Sequence, residues 1–329
     1  MICWLLLLLS SVIVKAQTLP YSDTISAQSL FFAKPDQNKN SDKKNHRSFY
    51  KSDSIFSFHS AKGFVPSIVH DIGAQATAPL RFTAKEWIFT GAAVGITATL
   101  FSVDANIDDW ARAQKEQHKW INNSSPVISE FGNRYGEYLV CAIGSLSALF
   151  KNQKGVQTSL LSAQAIITSA VWIQLIKTLT GRERPKGAYI YSLSGSGKWY
   201  GPFSRFDWKV ASDKSSFAFD AFPSGHTALA FSVATVFATR YNDNKLVPIL
   251  SYSAATLVGI TRLTEHEHWA SDVFVGAIIG FLCGKQVVEH FNETHPTDND
   301  NKTLQPISKK KTELTFIQNG NQIGLSVKW

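Results

Sequence analysis

The chain has 329 residues, 44% of them apolar and 12% aromatic, which is enough for a sizeable core and leaves a globular or a membrane-embedded protein as the readings. A formal net charge of +8 and a pI near 9.3 suit an anionic partner such as phosphate groups, lipid headgroups or nucleic acid. Nucleic acid drops out, because much of the basic excess sits in the tail runs "KNSDKKNHR" and Lys309 to Lys311, with no recognition motif of interleaved aromatics.

In chain order, "MICWLLLLLSSVIVKAQ" has an apolar run from Ile2 to Val14 followed by short residues, which predicts a secretory signal peptide over 1–16. Its removal with Cys3 leaves Cys141 and Cys283, each inside an apolar run, as inert buried thiols with no disulfide framework. Residues 17–84 read as a polar leader or linker, turning mixed in its last part, "VPSIVHDIGAQATAPLRF". From Trp87 onward apolar runs dominate, roughly over 87–103, 138–150, 158–180, 227–241, 246–263 and 271–289. They are rich in Ala, Leu and Ile and too long for ordinary strands, so they predict six helices and an all-α domain over 85–291. The connection 181–223 breaks the pattern with Tyr189, Tyr191, Trp199, Tyr200, Phe203, Phe206 and Trp208, and reads either as a lid or as an aromatic cluster packed on the helices. The tail 292–329 is polar, and its end alternates apolar and polar residues about Asn319-Gly320, the pattern of a β-hairpin.

Three clusters at helix ends carry the chemistry. In "KTLTGRERP" an apolar helix runs out at Thr180, Gly181 can stop it, and Pro185 prevents its resumption. Lys177 and Arg184 are thereby placed near one helix end, with Arg182 nearby; on its own this cluster reads first as partners of the helix dipole and only second as an anion site. In "FPSGHTALAF", Pro223 and Ser224 open a helix, Gly225 removes a side chain from its first turn, and His226 follows. Free amides at such a start bind anions, and a histidine there can pass a proton to a leaving oxygen; a plain serine cap is the alternative.

The third cluster is "TRLTEHEHWASD". On a helix, His268 and Asp272 share a face, so the carboxylate can hold one ring nitrogen and leave the other as a nucleophile, with Arg262 in reach of the same anion. His266 points away on that geometry, about 200° around from His268. A metal site wants histidines three or four positions apart, which this pair fails; in an extended loop both could still chelate with Glu265 or Glu267. A serine hydrolase built on Ser224 fails too, since "FPSGH" lacks the glycine pattern of a nucleophile elbow.

Together the clusters resemble the signature of the type 2 phosphatidic acid phosphatase and vanadium haloperoxidase superfamily. That signature is a lysine, six residues and Arg-Pro; then Pro-Ser-Gly-His; then Ser-Arg, five residues, His, three residues and Asp. Here Lys177 stands with Arg184-Pro185, then Pro223 to His226, then Arg262, His268 and Asp272 at the same spacings, with Thr261 in place of Ser, over about 158–289. The resemblance implies a six-helix bundle and a metal-free, two-step phosphoric monoester hydrolysis without a cofactor. His268 would attack phosphorus, Asp272 would orient its ring, and His226 would protonate the leaving oxygen. Lys177, Arg184, Ser224, Gly225 and Arg262 would hold the phosphate. A phosphorylated lipid or other phosphate ester is the implied substrate, handled on the extracytoplasmic side. The alternatives are a haloperoxidase with vanadate bound to His268, a soluble secreted acid phosphatase, and a non-catalytic membrane scaffold, which the intact signature disfavours.

Family members are either membrane-spanning or soluble. A span needs about 20 apolar residues, so the run at 138–150 is too short. With the signal cleaved and three segments crossing, Lys177 would face the cytoplasm, so either that short run does not cross or the helices form a soluble bundle. Membrane attachment is the favoured setting, with 186–222 as an interfacial element.

Overall fold

The computed structural model describes residues 61–187, 197–206 and 219–295, and the backbone of 313–319 and 322–328. The expected signal peptide lies outside the described residues, as does the leader up to residue 60. The described part of residues 1–290 is helical: α1 (Ala61–Thr77), α2 (Ala84–Gln117), α3 (Lys119–Ser129), α4 (Arg134–Leu149), α5 (Gln153–Thr180), α6 (Gly225–Arg240), α7 (Leu246–Thr264) and α8 (Ala270–Thr294). Each of the six expected apolar runs falls on one of these helices, with 138–150 and 227–241 each passing its helix end by one residue.

Among the described residues two helices, α1 and α3, stand outside the six expected runs, and their composition explains why. α1 lies in the segment read as leader and α3 is mostly polar, each with an internal proline. Phe64 of α1 nevertheless packs with Ile68, Cys141, Ala163 and Ile167, so it joins the core through a narrow stripe. α2 also outruns its expected end at residue 103. The apolar run stops at Asp104, but Asp104 and Asp108 turn inward and are buried, so the helix continues with carboxylates on its inner face. Its start is fixed by a capping box, in which Thr83 and Glu86 each accept the other's backbone N–H.

α5 is the central element. Its residues from Thr158 to Ile166 are buried almost without a break, as expected for a helix enclosed on all sides, and α1, α4 and α6 pack around it. The small side chains of Ser159, Ser162, Ala163, Ala165 and Ser169 let its neighbours approach closely. α6 packs on both α5 and α7.

Among the described residues four helices are long and apolar enough to cross a membrane: α2, α5, α7 and α8. α4 is not among them, in line with its short apolar run. The most apolar 18-residue stretch of α2 is only 6% buried, and Trp87, Ile88 and Phe89 are exposed on it.

The second unit, residues 291–329, holds two antiparallel strands, β1 (Glu313–Asn319) and β2 (Gln322–Lys328), with Asn319 opposite Gln322 and Glu313 opposite Lys328.

Candidate active site

The alternating directions of α5 to α8 bring the C-terminal ends of α5 and α7 beside the N-terminal ends of α6 and α8. Backbone bonds sew the three clusters together there. Ala221 N–H donates to Arg182 O at 3.0 Å, Ser224 N–H to Asp272 O at 2.9 Å, and Lys186 N–H to His266 O at 3.1 Å. α5 ends on Gly181 in the left-handed region, φ 56°, whose N–H reaches back to Lys177 O. A Cβ there would also lie 2.0 Å from Ser204 Oγ, so the stop and the packing both call for glycine.

A pocket of 470 Å³ opens at this junction. Lys177, Arg184, Asp220, Gly225, His226 and His268 line its polar end, and Ile166, Ile167, Ala170, Ile173 and Leu229 form an apolar wall. Lys177 is buried and donates to Asp220 O at 2.7 Å. Arg184 pairs with Glu267, and Arg262 with Glu265 and the Ser129 hydroxyl. Among the described residues, the Nε–H of Arg184 and that of Arg262 are buried without an acceptor. A buried donor without a partner is costly, and an anion in the pocket is the kind of group that satisfies it.

His226 and His268 lie outside the four span-capable helices. Burial, followed by the charges of Arg262, Lys177 and Arg184, pushes His226 down to about 3. His268 is also held well below the ordinary imidazole range, by burial first and then by Arg184, Lys177 and Arg262. Both rings are therefore neutral in the free pocket, and an arriving anion offsets the charges that keep them so.

The geometry around His268 differs from the helical expectation. His268 sits in the connection before α8, which starts at Ala270, and its Nδ1 faces Ala221 O at 2.7 Å. A carbonyl only accepts, so Nδ1 carries the proton and Nε2 keeps its lone pair. Asp272 Oδ2 is 3.8 Å from that Nδ1 and instead accepts Trp269 N–H at 2.8 Å. Helical spacing between the two residues thus fails, because the chain turns between α7 and α8 and the aspartate caps the new helix. His266 is kept apart by the same turn and not by helical rotation: it adopts φ 56° and its Nδ1 meets Asp108 Oδ1 at 2.8 Å.

The other expected residues are placed as follows. Ser224 is buried and caps α6, accepting from Thr227 N–H and from the Thr227 hydroxyl at 2.9 Å. Gly225 lines the pocket, and a Cβ on it would make only an ordinary contact, 3.6 Å to Ile173. Arg262 stands behind the lining, buried in the last turn of α7. The aromatic connection is only partly described; within it Trp199 packs on Phe101 and Phe222.

Sequence reasoning missed a buried network behind the pocket. Arg182, treated there as one more basic residue, is fully buried and bridges Asp272 at 2.6 Å, Asp104 at 2.7 Å and the Ser271 hydroxyl at 2.7 Å. Its guanidinium lies 5.0 Å from the Phe101 and Trp199 rings and 5.4 Å from Trp269. The available signal was Asp104, a carboxylate inside an apolar helix, which such a helix retains only with a partner.

The fold and site define a helical protein with a pocket at the helix ends that Lys177, Arg184, His226 and His268 line together. Residues 158–294 match the PAP2 superfamily. Among similar proteins, the lipid A 1-phosphatase of Porphyromonas gingivalis is 42% identical over 69 residues, 21% of this chain and 16% of that protein. Lipid phosphate phosphatase 1 of Arabidopsis thaliana is 32% identical over 139 residues, 36% of this chain and 39% of that protein. The chain thus matches well under half the length of either relative. The crystal structure of a transmembrane PAP2-type phosphatidylglycerolphosphate phosphatase from Bacillus subtilis covers 74% of this chain and 96% of its own, at 20% identity and a TM-score of 0.40.

Proposed function

We propose that this protein is a phosphatase that removes a terminal phosphate from a phosphorylated lipid or lipid diphosphate through a phosphohistidine. The observation that carries the reading is the pocket itself, where Lys177, Arg184, His226 and His268 converge at one end of an apolar wall. That wall suits the chain of a lipid, and the Nε–H of Arg184, without an acceptor among the described residues, suits its phosphate. The lipid phosphatases among the similar proteins support the same substrate class.

In the proposed reaction Nε2 of His268 attacks phosphorus while Ala221 O holds the Nδ1 proton. The P–N bond forms as the ester P–O bond breaks, and His226, charged once the phosphate is bound, gives its proton to the leaving oxygen. Water then attacks phosphorus, His226 takes the water's proton, and the P–N bond breaks to free phosphate and His268. Lys177, Arg184, Arg262 and the amides at the start of α6, with Ser224 and Gly225, stabilise the phosphoryl oxygens. Asp272 acts through Arg182 and the cap on Trp269, steadying the connection that presents His268. This chemistry needs positioning and charge and is proposed to run without metal or cofactor. The pocket is proposed to face the extracytoplasmic side, with the apolar N-terminal run acting as an export signal, and α2, α5, α7 and α8 placing the protein in the membrane.

Phosphate release from purified protein across lipid phosphates, polyprenyl diphosphates and small esters tests the proposal. His268→Ala and His226→Ala are each expected to abolish release, and His266→Ala to retain most of it. Equal damage from His266→Ala and His268→Ala would overturn the assignment, and halide oxidation dependent on vanadate and peroxide would replace the reaction class.

A further inference from the structure

At the far end of α8 from the pocket lies a second polar cluster that the phosphatase reading does not use. His290 is 18 residues beyond Asp272, so the cluster sits about 27 Å along the helix from the phosphate pocket. Asp71 of α1 is completely buried and its Oδ1 meets His290 Nδ1 at 2.6 Å. His70 Nδ1 lies 3.7 Å from the same oxygen, and the two imidazole rings are tilted at 31° with centroids 4.2 Å apart. One donor atom from each of His70, Asp71 and His290 falls within 4.8 Å of the others.

The surroundings are built to hold that carboxylate. Gln286 Nε2 donates to Asp71 Oδ1 at 3.0 Å, and Gln164 Nε2 donates to Oδ2 and to the Ser67 hydroxyl. Gln75 in turn donates to Gln286 Oε1 at 2.9 Å and accepts from Trp172 Nε1 at 2.7 Å. Second-layer bonds of this kind orient metal-binding carboxylates. Two features call for a further group. Among the described residues no lysine or arginine pairs with Asp71, and the basic groups beside its carboxylate are the two imidazoles. Gln164 Oε1, on a side chain 1% exposed, has no hydrogen-bond partner among the described residues.

We propose that His70, Asp71 and His290 form a binding site for a divalent transition-metal ion, zinc being the best match to two imidazoles and one carboxylate. The ion displaces the proton between His290 and Asp71, neutralises the buried carboxylate and leaves a fourth position for water, whose O–H can serve Gln164 Oε1. Tetrahedral zinc places its donors about 3.3 Å apart, so the present separations of 2.6 and 3.7 Å need shifts of under about 1 Å. His70, 62% exposed, has the freedom to make one of them. The sequence displayed no such cluster because Asp71 and His290 are 219 positions apart. The ion ties α1 to α8 and plays no part in phosphoryl transfer.

Zinc bound to the untagged full-length protein in detergent, measured by equilibrium dialysis and elemental analysis, tests the site. About one zinc per chain is expected, with affinity reduced at least about tenfold in His70→Gln and His290→Gln. His70→Gln changes a largely exposed side chain, so it keeps the proposal testable if the buried variants misfold. His268→Ala is expected to bind zinc as the unmodified protein does, which separates this outcome from the fate of the phosphatase reading. Absence of zinc from the unmodified protein, or undiminished binding by His70→Gln, would overturn the proposal.

Discussion

The residue that best exposes the cost of building this site is Arg182. It sits between two fully buried carboxylates, and removing it leaves both without a counter-charge in a place water does not reach. Arg182→Met is therefore expected to lose about 3–5 kcal/mol of stability, the usual cost of breaking a buried pair from one side. Arg182→Lys keeps the charge but not the two-pronged fork and should fall between. Thermal unfolding in detergent measures both, and a Met variant as stable as the parent would refute the pairing. At this scale the sequence was informative about identities and silent about partners. Spacing picked out Lys177, Arg184, His226 and His268, which line one pocket. It could not reveal that a backbone carbonyl, Ala221 O, meets the His268 ring where Asp272 was expected, because carbonyls leave no mark in the residue pattern. Nor could it see that Glu265 and Glu267 occupy the arginines in the free protein.

Among the helices, α8 sets the position of its neighbour by having almost no side chain on one face. Gly276, Gly280 and Gly284 recur every four residues, and a Cβ on each would lie 2.4, 2.2 and 2.6 Å from the carbonyl oxygens of Ser224, Ala228 and Ser232. α6 and α8 therefore meet backbone to backbone, and α6 carries His226 at its start. Gly280→Ala should push the two apart, destabilise by about 1–3 kcal/mol and depress phosphate release. Gly91→Ala in α2, where nothing lies within 4 Å, should instead be neutral or gain up to about 1 kcal/mol. Parallel unfolding and activity measurements on the two variants distinguish lost backbone contact from a generic effect of glycine replacement. Apolar runs announced most helices, but their limits were misjudged wherever a helix buries charge. α2 outruns its expected end because Asp104 and Asp108 face Arg182 and His266, and α1, in a segment whose sequence reads as a linker, carries the buried Asp71.

For the whole molecule, the exterior carries the information that the motifs lack. A helix such as α2, apolar over a span-length stretch that the protein itself hardly covers, has its low-energy surroundings in lipid. Carbonate extraction of expressing membranes should leave the protein in the pellet; recovery in the wash would show that these faces are covered in another way. The meeting of four helix ends has one further consequence, for the field in the pocket. Two positive macrodipole ends, those of α6 and α8, lie beside two negative ends, those of α5 and α7, so at a distance the backbone contributions largely cancel. Lys177 and Arg262 stand in the last turns of the negative ends, and Asp272 in the first turn of a positive one. On the proposed reading, the attraction for a phosphate is therefore short-ranged and belongs to the pocket's own side chains, felt by a group that has already entered and faint to charges in bulk solution.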